Sequence, residues 1–357
     1  MASVLGLDIG GANTKAVCIN TKNGYIAKSR NAIKYFPVWK KPEELGTMLS
    51  KISKAVSGSM KLNCIGITMT AELSDAYRTK REGVNQILAH VTKAFPDAQI
   101  FILDVDSKLL SVTEAMSAPL KVAASNWVAT GWLVSQLVKN CIVIDVGSTS
   151  TSIIPVVEGC VSATGKTDLD KLMNGELVYT GSLRTNIAAI VNSVPIRDDV
   201  ARISSEMFAQ SGDVHLVLGN ITENEYMVET ADGRGKTKAE ALARLARVVC
   251  ADTEMLTEQE IVQFATYIYD RQIKQVAEGL KQVYNRVKSR IKMKVKAVVT
   301  GIGKNFIARK AAQLIDINEI IELNELLKSD VETVSPAVGV ALMVASKIEG
   351  RTVKWMQ

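Results

Sequence analysis

The chain has 357 residues, 47% hydrophobic, 22% charged and 5% aromatic, with a net charge of +6. That is a globular composition with room for about two domains, and it excludes a disordered chain, a coiled coil and a disulfide-stapled mini-protein. The mild positive excess and the scarcity of aromatic rings give no case for a nucleic-acid partner, whereas small anionic ligands fit. Five scattered cysteines, with no C-x-x-C spacing, read as reduced thiols, several buried in strands. No apolar run approaches the ~20 residues of a membrane helix, and no signal-peptide pattern is present. We therefore expect a cytoplasmic protein with no membrane partner.

Strand and helix patterns alternate along the chain. Val4 to Asp8 predicts a buried strand, and Thr14 to Asn20 a second one after the Gly10-Gly11 turn. Pro42 to Ala55 predicts a helix, because Pro suits its first turn and Glu43 and Glu44 suit its positive end. Further strands are expected at Cys64–Met69 and Ile100–Asp104, and a helix at Tyr77–Ala94. Cys141–Asp145 and Ser152–Val157 restart the strand pattern around Gly147. The run Asp213-Val-His215-Leu-Val-Leu218 alternates like a strand. Helices are expected at Lys238–Cys250 and at Thr257–Ile291, the second with room for a break. Ala297–Thr300 predicts a strand, and Ser335-Pro336 opens a last helix through Lys347. Lys281 to Lys296 carries seven basic residues, Lys292 among them, and no acidic one. It reads as a solvated helix face followed by an edge strand whose lysines resist pairing, or as a basic rim for an anionic substrate.

Only two histidines occur, His90 and His215. That argues against an imidazole-based zinc site. His215 reads as a satisfied core or sheet residue and His90 as a surface residue. A divalent ion would have to use carboxylates, hydroxyls and water, which points to Mg2+.

One arrangement occurs twice. Leu5-Gly-Leu-Asp8-Ile-Gly10-Gly11-Ala-Asn13-Thr14-Lys15 matches Ile142-Val-Ile-Asp145-Val-Gly147-Ser148-Thr149-Ser150-Thr151. Each is a buried strand ending in Asp, then a glycine turn with small polar residues, then another strand. Glycine lets phosphate oxygens approach backbone N–H groups, and the Asp can hold a hydrated Mg2+. The two Asp residues are 137 positions apart (145 minus 8). Two such hairpins imply two similar domains clamping one polyphosphate–metal unit. A third turn, Val299-Thr-Gly301-Ile-Gly303-Lys304, lies downstream.

Other phosphate motifs fail on spacing. Five residues separate Gly159 from Gly165-Lys166-Thr167 where a P-loop needs four. Gly235-Lys236-Thr237 would need Gly at 230, which is Thr. Gly301-x-Gly303 lacks a dinucleotide fingerprint's third glycine, because position 306 is Phe.

The three turns together resemble the signature of the actin-like ATPase superfamily. That resemblance implies an α/β fold of two actin-like ATPase (ribonuclease H-like) domains with a central cleft. Domain I would be 1–125 plus 335–357, and domain II would be 126–334 with helical insertions. Gly10, Gly11, Asn13, Thr14, Gly147, Ser148 and Thr149 match the phosphate motifs, Gly301 and Gly303 the adenosine turn. Asp8 and Asp145 would bind metal.

Several strings narrow the family: Thr68-Met-Thr-Ala-Glu72-Leu-Ser-Asp75, Ala124-Ser-Asn-Trp127, Gly175-Glu-Leu-Val-Tyr-Thr-Gly181, Arg184-Thr185 and Thr230-Ala-Asp232-Gly-Arg-Gly-Lys236. They resemble archaeal one-carbon-pathway proteins related to hydantoinase/oxoprolinase. That family implies a methanofuran-biosynthesis synthase joining a furan-methyl diphosphate to the phenol oxygen of γ-glutamyltyramine, with release of pyrophosphate. Lys15 and Mg2+ would neutralise the leaving group. Glu72 or Asp75, which one helical turn would put on one face, would take the phenol proton. Arg184 would bind the glutamyl carboxylate. The family's second hairpin usually continues to an Asp where this chain has Ser152, so any role of that carboxylate is weakened or moved here. Two rival readings use the same fold: an ATP-dependent small-molecule kinase, and a non-catalytic nucleotide-dependent sensor.

Overall fold

The computed structural model describes residues 2–355 except 59, 61, 63, 292, 293, 330 and 331. Two compact units are present. One comprises 1–141, 154–171 and 323–357, and the other 142–153 and 172–322.

In the first unit the strands are β1 (Ser3–Ile9), β2 (Asn13–Lys22), β3 (Tyr25–Tyr35), β4 (Cys64–Met69), β5 (Gln99–Leu103) and β6 (Leu109–Leu110). They form one sheet in the order β3-β2-β1-β4-β5-β6. β1 runs antiparallel to β2 and parallel to β4, and β4 runs parallel to β5. β1 is central and reads as an apolar run because both its faces are covered; Val4, Leu5, Leu7 and Ile9 are fully buried. β3 is an outer strand rich in Lys and Arg, and the sequence reading had no strand there. Lys28, Arg30 and Lys34 mask the apolar alternation while discouraging pairing with other chains.

The helix Ser335–Glu349 crosses the middle of this sheet at close range. Gly6 and Gly66, partners in the β1–β4 register, make that approach possible. A Cβ at Gly6 would lie 2.1 Å from the Ala337 carbonyl, and one at Gly66 2.9 Å from that of Val340. On the same helix, Gly339 packs against the backbone of Ala129 in the helix Asn126–Ser135. Asn126–Ser135, expected in domain II, thus belongs to the first compact unit.

The second sheet uses β7 (Cys141–Val146), β8 (Thr151–Val157), β9 (Cys160–Val161), β10 (Leu177–Val178), β13 (Lys296–Thr300) and β14 (Ile320–Glu322), while β11 (Ser193–Ile196) and β12 (Asp199–Arg202) pair separately. Its order, β10-β8-β7-β13-β14, repeats the order β3-β2-β1-β4-β5 of the first sheet. β13 is interior, so the lysine run does not feed an edge strand. Instead the helix Glu258–Lys288 continues without a break to Lys288, Arg286 pairs with buried Glu176, and Lys296 pairs with Glu319. Lys292 lies outside the described residues.

Asp213 to Leu218 is not a strand. Ser211–Val217 is a helix that starts with a reciprocal Gln210–Asp213 cap and is buried all round. Its polar groups are satisfied by tertiary partners: Asp213 by Arg244 at 2.8 Å, and His215 by Gln272 at 2.9 Å. Burial pushes His215 down to about 4, so it is neutral and serves packing. All five cysteines are free; Cys18 and Cys141 are buried in strands, while Cys160 and Cys250 are exposed. Among the described residues no helix is long and apolar enough to cross a membrane.

Candidate active site

The first hairpin closes when the Gly10 N–H donates to the Asn13 carbonyl at 3.1 Å. Gly10 is required sterically, since a Cβ there would lie 2.5 Å from that carbonyl oxygen. Gly11 is different: a Cβ there would meet nothing within 4 Å, so the space over its backbone is open. Asp8 and Lys15 face each other in the β1–β2 register, with Nζ 3.3 Å from Oδ2. Asp8 is 2% exposed, and burial raises its proton affinity against the opposing pull of Lys15. Its Oδ1 and the Thr14 hydroxyl are buried without a hydrogen-bond partner. An orphaned carboxylate oxygen beside a glycine turn is a donor set that fits a hard cation such as Mg2+. Among the described residues no three His, Cys, Asp or Glu side chains converge to form a complete metal cage. That suits an ion that keeps most of its waters.

After β4 the chain makes a single 3-10 turn, Ala71–Leu73, and becomes extended at Ser74. The expected helical turn carrying Glu72 and Asp75 on one face therefore does not form. Glu72 is buried at 1% exposure, whereas Asp75 is exposed. Gly83 of the helix Lys80–Ala94 packs directly on the Glu72 backbone, 2.4 Å from its carbonyl oxygen to a would-be Cβ. Neither carboxylate oxygen of Glu72 has a well-formed hydrogen bond. Burial lifts its pKa to about 7, opposed by Lys80 and by the backbone N–H groups of Glu72 and Ala124.

The second hairpin repeats the first: Gly147 N–H donates to the Ser150 carbonyl at 3.0 Å. Its carbonyls are gripped from behind. Ser182 N–H donates to Gly147, and Leu183 and Arg184 N–H both donate to Ser148, all within 3.0 Å. Gly181 allows this contact, because a Cβ there would sit 2.6 Å from Thr149 backbone. Gln272 holds Gly181 and Thr180 in turn, at 2.9 and 2.8 Å. The Arg184 guanidinium donates to the Thr149 hydroxyl at 3.3 Å. Gly301 has φ +83°, and a Cβ there would come within 2.4 Å of the Val146 carbonyl and 2.7 Å of Asp145 Oδ1. Gly303 N–H donates to the same carbonyl at 3.1 Å.

Within the second unit, then, Asp145, Gly147, Ser148, Thr149, Arg184, Gly301 and Gly303 come together. Within the first, Asp8, Gly10, Gly11, Asn13, Thr14 and Lys15 do. The sequence reading missed Ser182, whose hydroxyl is buried, lacks a partner and borders Gly303. A lone serine carries no sequence signal. It also missed Lys80 and Asp168, which reach the Glu72 neighbourhood from distant segments.

Two sheets of the same strand order, each with an Asp–Gly hairpin at its central strand, define an actin-like ATPase (ribonuclease H-like) fold. Acetone carboxylase, solved nucleotide-free, shares this fold with a TM-score of 0.57 and 10% identity, over 95% of this chain and 70% of that one. The chain belongs to the hydantoinase/oxoprolinase family, which matches residues 63–346. It is 38% identical over 347 residues to the (4-{4-[2-(gamma-L-glutamylamino)ethyl]phenoxymethyl}furan-2-yl)methanamine synthase of Methanocaldococcus jannaschii, covering 97% of this chain and 98% of that one. A synthase of the same name from Methanococcus vannielii is 36% identical, covering 60% of this chain and 94% of its own length.

Proposed function

We propose that this chain is a transferase of methanofuran biosynthesis that forms an aryl ether between the phenol of γ-glutamyltyramine and a furan-methyl diphosphate. The observation that carries the reading is the near full-length similarity to the M. jannaschii synthase, whose name specifies a product with that phenoxymethyl-furan linkage. In the reaction the C–O bond to diphosphate breaks, pyrophosphate leaves with the electron pair, the phenol oxygen bonds to the furan methylene, and the phenol proton goes to a base.

We assign Asp8 and Asp145 to Mg2+, which would supply charge neutralisation for the departing pyrophosphate. Lys15 and the backbone N–H groups of Gly10, Gly11, Gly147, Ser148 and Thr149 would add to it. Arg184, lying on Thr149, is assigned to the diphosphate rather than to the glutamyl carboxylate. Gly301 and Gly303 act by letting their turn close on Asp145 and Val146. Glu72 is the base: at a pKa of about 7 it is a far better proton acceptor than a solvated carboxylate. Asp75, exposed and unsupported, is set aside.

The test is incubation with both substrates, without ATP, followed by mass spectrometry for the ether and assay of pyrophosphate. An ATP requirement would favour the kinase or sensor readings. Glu72→Gln should lower coupling at pH 7 by about 10²–10⁴-fold, and the loss should shrink near pH ~10, where a phenol ionises unaided. Normal coupling by this variant would move the base elsewhere.

A further inference from the structure

Glu72 sits in a ring of contacts closed by three segments far apart in sequence. Lys80, at the start of the helix Lys80–Ala94, lies 3.8 Å from Glu72 Oε1. Its ammonium is far closer to Asp168, at 2.5 Å from Oδ2. Three residues on from Asp168, buried Lys171 lies over the Trp127 ring at 4.5 Å. Trp127 belongs to the first turn of Asn126–Ser135, just after Ala124, whose N–H lies by the Glu72 carboxylate. Ala124 is held at φ +51°, a conformation disfavoured for a residue with a Cβ.

The charges whose fields reach Glu72 are Lys80 from one helix and Asp168 from the helix Asp168–Met173; the 124 segment offers only its amide. Lys80 is thus shared unequally. A buried carboxylate whose oxygens lack a well-formed hydrogen bond would draw a nearby ammonium into direct contact if nothing competed. Asp168 competes, and its side chain is partly solvated, so its charge costs less to maintain than that of Glu72.

We propose that Asp168 is a positioning residue that sets the basicity of Glu72 by holding the Lys80 ammonium off its carboxylate. Removing Asp168 frees Lys80 to close on Glu72 and removes a repelling charge, and both changes make Glu72 a weaker base. Removing Lys80 leaves Glu72 without a counter-charge and makes it a stronger one. The two substitutions act with opposite sign, which a purely structural role for the pair would not produce.

The experiment is a pH titration of the Glu72 carboxyl by carbon-13 NMR in protein labelled at glutamate, the signal being identified by its loss in Glu72→Gln. Asp168→Asn should move the midpoint down, and Lys80→Met should move it up, each by about one unit or more; Lys80→Arg should restore it. An unchanged or raised midpoint in Asp168→Asn overturns the proposal, and that variant alone decides should Lys80→Met fail to fold. The consequence for coupling rests on Glu72 being the base. If the NMR midpoints shift as stated and the acid limb of the pH–rate profile follows, the positioning role extends to coupling. If the midpoints shift while the limb stays, the electrostatic proposal stands and the assignment of the base fails.

Discussion

The two hairpins share a backbone and differ in how charge is supplied to them. In the first, Asp8 is buried and its cation, Lys15, comes from the adjoining strand. In the second, Asp145 is half-buried, and the residue 137 positions beyond Lys15 is Ser152. There the cation arrives from a separate segment, Arg184, on a loop bonded to the turn through Ser182, Leu183 and Arg184. Backbone geometry is thus the repeated element, and charge is added to each copy by different means. A local device such as Lys15 needs only one strand register. A remote one such as Arg184 needs a supporting structure, and Gln272, Gly181 and buried His215 provide it.

The largest effect should come from the Asp residues themselves. Asp8→Asn and Asp145→Asn should each lower kcat by about 10²–10³-fold, as when one stabiliser of transition-state charge is removed, and a chelator in excess should abolish activity. Steady-state kinetics at saturating Mg2+ checks this. A loss confined to one variant would mean that the copies have diverged, and full activity with chelator would remove the metal from the proposal.

The cations come next. Lys15→Met and Arg184→Ala should each weaken use of the diphosphate by about 10–10²-fold, the magnitude of a lost charged hydrogen bond. Measured as kcat/KM with γ-glutamyltyramine and with tyramine, the Arg184→Ala loss should be the same factor for both acceptors. A loss concentrated on the γ-glutamyl compound would return Arg184 to the glutamyl carboxylate.

The hairpins were legible in the sequence because an Asp, a glycine turn and small polar residues lie within eight positions and answer to local sterics. The strands β1, β4, β7 and β13 were legible because their burial on both faces leaves unbroken apolar runs. β3 was not, since an outer strand rich in Lys and Arg looks like surface loop. The helix at Ser211–Val217 read as a strand because its buried polar groups, Asp213 and His215, are satisfied by Arg244 and Gln272, dozens of residues away, so no polar face marks its period. For the same reason Glu72 could be proposed from its place after β4, but its separation from Asp75 and its dependence on Lys80 and Asp168 could not.

A stability measurement probes the hairpins without substrate. Gly301→Ala should cost about 1–3 kcal/mol, because φ +83° is strained for alanine and its Cβ would press on the Val146 carbonyl. Denaturant unfolding would read this as a lower midpoint, and an unchanged midpoint would show that the turn yields without cost.

The smallest effect on folding is the most informative about the ligand. At Gly11 a Cβ meets nothing within 4 Å, and φ lies outside the left-handed range that favours glycine. Gly11→Ala should therefore leave stability within about 0.5 kcal/mol of the parent. If the diphosphate lies over this backbone, the added methyl occupies the space its oxygens need, and diphosphate binding measured by calorimetry should weaken while the unfolding midpoint stays put. A loss of stability would mean that the glycine serves the fold. Unchanged stability together with unchanged binding would mean that the open space above Gly11 is not where the phosphates go, and the assignment of the first hairpin would then rest on Asp8 and Lys15 alone.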